Sequence, residues 1–187
     1  MQKPYKLESG IIKPSWLKYY EELPQGAIYQ SWDTAIKTGI KNDYSVCITF
    51  IETASGYYVA DIVREKLEYP KLKRLIIEQA EKWQPAGILL EDKASGQSLL
   101  QDLRQETKLP LIAQMPRFDK LQRLAAVSPI IEAGKLFVPK NKVWANLFEL
   151  ELCTFPDCEH DDMTDALSQF LNWTRARVVT SVGLRRI

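Results

Sequence analysis

Histidine is all but missing from this chain: His160 is the single one in 187 residues. That excludes metal centres built on several imidazoles. It also leaves a serine nucleophile only His160 as its base, with no G-x-S-x-G elbow to present the serine. Cysteine is scarce and odd in number, at Cys47, Cys153 and Cys158. Such a set is no disulfide framework and favours a reducing compartment. A structural zinc site using Cys153, Cys158 and His160 lacks a fourth ligand, because Cys47 falls inside an apolar strand pattern. Neither a Walker-type glycine loop nor G-x-G-x-x-G occurs, which excludes those modes of nucleotide binding. "DCEHDDMTD" lacks the mid-loop glycine and closing glutamate of an EF-hand. No apolar run approaches the ~18–20 residues of a membrane span, and "MQKPYKLESG" has no signal-peptide core. The expectation is a cytoplasmic protein with no membrane partner. Net charge is only +1, so a polyanion would have to be held by a local patch. There is no internal repeat and no low-complexity tract.

What is present is 45% hydrophobic residues, enough for one sizeable core. Residues 1–25 carry prolines and the aromatics Trp16, Tyr19 and Tyr20, and read as a lead-in: a tether packed on the body or a linker. The body is expected over 26–176, with a basic tail over 177–187 that is either disordered or a further nucleic-acid contact. "GAIYQSWDTA" (26–35) and "DYSVCITFIET" (43–53) read as strands. "ASG" turns the chain into a third strand over 57–67, making an antiparallel meander. Pro70 opens a helix ending near Trp83. Then follow a buried strand (86–91), an amphipathic helix (96–107), a buried strand (109–116) and a helix over 119–134 expected to break before Pro129. "KLFVP" is a short strand, 143–155 a helix, and a last helix runs from the acidic stretch to about Arg175. The fold class is α/β: a mixed sheet, three antiparallel strands plus parallel ones, flanked by helices.

Three separate places set carboxylates at the edge of a core element. Asp33 ends the first strand, Glu91 and Asp92 end "GILLED", and Asp161, Asp162 and Asp165 surround the start of the last helix. Ligands of open α/β sheets gather at strand ends. Helix residues three apart share a face, so Asp162 and Asp165 point into one space. Converging carboxylates without basic partners are costly unless protonated or bound to cations. Oxygen donors with almost no histidine suit Mg²⁺ or Mn²⁺, and two such ions are an apparatus for phosphodiester hydrolysis. In that arrangement Asp33 would bridge both ions, with Glu91 and Asp162 or Asp165 each holding one. The plainer alternative stands beside it. Asp161 serves as an N-cap, the helix acids favour the macrodipole, Asp33 is a turn residue, and Glu91 and Asp92 are solvated. His160 is a surface residue, or it orients Asp162 or a water.

Lys37, Lys41, Lys93, Lys120 and Arg123, with Arg117 nearby, form a candidate positive collar for a phosphate backbone, Lys120 and Arg123 being three apart on one helix. Singly, each is an ordinary solvated cation.

Taken together, "SWDTAIKTGIKNDYSV", "GILLEDKASGQSLLQDL", "DKLQRLAAVSPIIEAGKLFVP" and "HDDMTDALSQF" resemble, in order from about residue 26 to 173, the C-terminal nuclease domain of tailed-phage and prophage terminase large subunits. The resemblance implies a ribonuclease H-like fold and a metal-dependent endonuclease that cuts concatemeric viral DNA during packaging in the bacterial cytoplasm. It assigns the essential acids to Asp33, Glu91 and the pair Asp162 and Asp165. It also implies an ATPase motor domain ahead of this segment, and a small terminase subunit and portal as partners. Motor action cannot be claimed for these residues. Other readings of the same fold are a Holliday-junction resolvase or a transposase-type nuclease. A non-enzymatic reading is a module that docks on DNA or a portal.

Overall fold

The structure, a computed structural model, describes residues 10–35, 44–92 and 95–183. Its centre is the meander read from the sequence. Strand β2 (Ala27–Asp33) pairs antiparallel with β3 (Ser45–Glu52), and β3 with β4 (Tyr57–Glu65). Beyond β2 lie β5 (Gly87–Glu91) and β6 (Leu111–Gln114), both parallel to it. Beyond β4 lies β7 (Leu136–Pro139), the "KLFVP" strand, so the last crossover returns to the opposite edge of the sheet. The lead-in supplies the outermost strand, β1 (Lys18–Tyr20), parallel to β7, and buries Ile12 and Leu17 in the core. The sheet order is β1-β7-β4-β3-β2-β5-β6.

Period-two alternation divides the core between the two faces of this sheet. Val46, Ile48 and Phe50 of β3 and Leu89 of β5 face α3 (Lys120–Glu132), α4 (Val143–Thr154) and α5 (Asp162–Gly183). Cys47, Trp32, Ile88 and Leu90 face α1 (Tyr69–Trp83) and α2 (Ser95–Glu106). Each fully buried Leu, Ile or Phe contributes roughly 1.5–3 kcal/mol. Central strands covered on both faces are therefore apolar almost throughout, as β3 and β5 are. At Gly96 a Cβ would collide with the Glu91 carbonyl. Only glycine lets the start of α2 close over the end of β5.

Two expectations need correction. Helix α3 does not break before Pro129 but runs on to Glu132. Proline cannot donate to the carbonyl four residues back, and the Ser128 hydroxyl donates to that Ala125 carbonyl instead, at 3.0 Å. The last helix does not stop near Arg175 but continues to Gly183. The extension begins at Arg177, which donates to Glu52 at 2.6 Å and to the Tyr29 hydroxyl at 2.8 Å and lies over the Trp173 ring. Among the described residues no helix is long and apolar enough to cross a membrane.

Candidate functional site

Register decides where the acids go. Trp32 pairs with Leu90 across β2 and β5, so Asp33 and Glu91, one step further, end neighbouring parallel strands. Trp32 and Leu90 belong to the α1/α2 face; Asp33 and Glu91 therefore turn to the opposite face, where α5 lies. The start of α5 is brought over these strand ends by Gln169, whose side-chain amide donates to the Ser31 hydroxyl at 2.9 Å and the Trp32 carbonyl at 3.2 Å. Asp165 sits one turn before Gln169, and Asp162 three residues before that. Acids far apart in sequence thus meet at one end of the sheet.

Their charges are felt at Asp33. Burial, then the carboxylates of Asp165 and Asp162, push its carboxyl up to about 8; Lys120 opposes this, and Glu91 adds to it. Asp162 and Asp165 are also raised, in each case first by burial. Three cations hold the helix acids. Lys120 Nζ is 2.7 Å from Asp165 and 2.8 Å from both oxygens of Asp161. Arg123 Nη2 donates to Asp165 at 2.8 Å. Arg64, on β4, reaches Asp162 at 3.5 Å and lies 3.9 Å over the Tyr44 ring. Burial opposes the charge on Lys120, but its hydrogen bonds to Asp161 and Asp165 outweigh that and raise its pKa.

The donors match hard divalent cations in type, being carboxylate oxygens throughout. They match in charge as well. A carboxyl held near 8 is mostly protonated at neutral pH in this arrangement, and an added cation favours its ionised form. The cage is not preformed. Among the described residues no three His, Cys, Asp or Glu side chains stand ready to hold an ion, and Asp165 is engaged by Lys120 and Arg123. If Asp165 rather than Asp162 is the helical ligand, those two cations must yield its oxygens to the ion.

Of the other residues singled out in the sequence, Lys120 and Arg123 face the acids, whereas Lys37, Lys41 and Lys93 lie outside the described residues. Asp161 is tied to Lys120. Asp92 donates its backbone N–H to Gln114 at 2.8 Å, fastening β5 to β6. His160 is exposed and packs edge-on against Tyr44. Three participants escaped sequence reasoning: Arg64, Gln169 and Glu151. Glu151 is 5% exposed and accepts from the Thr164 backbone N–H at 2.8 Å, capping α5 from another helix. Burial raises its carboxyl to about 7 against the opposing Thr164 hydrogen bond. The one signal for it was a carboxylate inside the apolar run "VWANLFELELCTF".

A family model described as the terminase RNaseH-like domain matches residues 30–173. No curated protein matches the chain. Among solved structures, the large terminase nuclease of thermophilic phage G20c with bound zinc shares 17% identity at a TM-score of 0.60, covering 87% of this chain and 95% of that one. The same G20c nuclease with bound magnesium shares 14% at 0.61, covering 91% and 98%. The large terminase of another thermophilic bacteriophage shares 12% identity at a TM-score of 0.65, covering 90% of this chain and 44% of that one. The chain thus spans less than half the length of this last relative. These likenesses fix the fold as that of a terminase nuclease domain.

Proposed function

The chain belongs to the terminase RNaseH-like domain family, and from that premise we propose that it is a divalent-cation-dependent endonuclease cutting double-stranded viral DNA during genome packaging. The observation that carries the reading is Asp33: a carboxyl at a strand end, raised to about 8 by burial and by acids from two other elements. Asp33, Glu91 and Asp162 or Asp165 would hold two ions, Mg²⁺ or Mn²⁺. The related G20c nuclease, solved with bound magnesium, cobalt and zinc, supports a divalent cation. Such ions supply water activation and charge neutralisation at phosphorus. The protein's own part is to hold the acids on rigid strand ends and a helix start. Lys120 and Arg123, on releasing Asp165, would receive phosphate oxygens, and Lys37, Lys41 and Lys93 would be further backbone contacts. In the whole protein an ATPase motor domain, a small terminase subunit and a portal would be partners, and the host bacterial cytoplasm the place of action.

Plasmid nicking in Mg²⁺ or Mn²⁺ tests this. Asp33→Ala is expected to lower the rate at least about a hundredfold, since loss of ion-mediated charge stabilisation is worth several kcal/mol. Nicking that persists in EDTA or in Asp33→Ala rules the mechanism out.

A further inference from the structure

A cleft of about 520 Å³ opens between the segment after β6 and helix α5. Its lining includes Met115, Arg117, Phe118, Arg123 and Trp173. It adjoins the acids at three points. Gln114, on its wall, is the cross-strand partner of Glu91. Arg123 donates to Asp165. Gln169 holds the Trp32 carbonyl beside Asp33. Two side chains at its rim are conspicuously unprotected for apolar groups: Met115 is 70% exposed and Phe118 66%. Water contact of that extent is unfavourable for both, and neither contributes to the core. Arg123, which lines the cleft, has its Nε buried and without a hydrogen-bond partner among the described residues.

We infer that this cleft takes an unpaired base of the DNA strand beside the scissile phosphate, with Phe118 and Met115 as the stacking surface. The inference rests on the reading of the acids as a DNA-cutting site. A cavity of this size belongs to the class that holds small organic ligands. Exposed aromatic and thioether groups offer a flat base an apolar contact that is indifferent to sequence. Arg117 and Arg123 on the cleft lining complement the charge of the attached phosphates. A nucleotide brings both complements at once, a flat base for the apolar rim and a phosphate for the guanidinium groups beside the acids. The DNA recognised at the cut is then locally opened rather than fully paired.

Anisotropy titrations in EDTA, where nothing is cut, compare a labelled duplex with the same duplex carrying a central unpaired segment. Wild type is expected to bind the opened DNA about tenfold more tightly, in keeping with the stacking of one base. Phe118→Ala and Met115→Ala should bring that ratio towards one. Arg117→Ala should weaken both DNAs alike, as a phosphate contact does. Both rim residues are exposed, so their truncation leaves folding intact, which thermal melting checks. A wild-type ratio of one, an unchanged ratio in Phe118→Ala, or no binding of either DNA overturns the inference. Plasmid nicking by wild type, run in parallel with Mg²⁺, separates the cases: nicking with a ratio of one removes the cleft's role and leaves the nuclease reading standing.

Discussion

At neutral pH an Asp33 carboxyl held near 8 is largely protonated, and a protonated carboxyl is a poor ligand. Two opposed pH dependences follow. Without metal, the folded pKa of Asp33 lies above the ordinary value of 3.8. The folded state therefore binds more protons, and the stability contributed by the neutral form is lost as pH rises through about 8. Glu151, raised to about 7, acts in the same sense. The thermal midpoint of metal-free protein should fall between pH 6 and 9, and Asp33→Asn should flatten that fall; a midpoint that rises over the same range contradicts the assignment. Metal affinity runs the other way, because the proton must leave before the ion binds. Calorimetry should find Mg²⁺ binding stronger at pH 8.5 than at 6.5, with proton release. At this scale the sequence was legible for the acids and opaque for their environment. Asp33 and Glu91 stand out as charges that close apolar strands. Nothing local announces Arg64, whose contact with Asp162 spans 98 positions, or shows that Lys120 and Arg123 turn towards the acids.

The decisive element is α5, because its first turn carries two of the acids. Glu151 on α4 holds that turn by accepting from Thr164, and the same carboxylate lies in the field of Arg64. Glu151→Ala should cost about 2–3 kcal/mol in urea unfolding, since it leaves a buried N–H unpaired and a guanidinium less compensated. It should also reduce metal affinity by misplacing Asp162 and Asp165. An unaltered unfolding midpoint would mean that the cap is unimportant. The start of α5 was readable from its acids and apolar period. Its end was not, because the Arg177 contacts with Glu52 and Tyr29 are tertiary. Likewise Pro129 breaks a helix by local rules, and only the neighbouring Ser128 hydroxyl offsets it.

For the molecule as a whole, the meander could be read because alternation and the "ASG" turn are local signals. The strand β1 could not, nor could the place of β7 in the sheet. β1 has three residues and no alternation to betray it, and the placement of β7 beside β4 is settled by packing across the sheet. The core that fixes this arrangement stacks Phe50 of β3 on Phe170 of α5, centroids 4.1 Å apart. Phe170→Ala should destabilise by about 3–5 kcal/mol, measured by denaturant unfolding. Because it loosens the packing between sheet and helix, metal affinity should fall with it. The most direct measurement of the central claim is anomalous diffraction from a crystal of the wild-type chain soaked in Mn²⁺. The account predicts density within ligand distance of Asp33, shared with Glu91 and with Asp162 or Asp165, and its disappearance in Asp33→Asn. Mn²⁺ bound elsewhere, with nothing at Asp33, would contradict it.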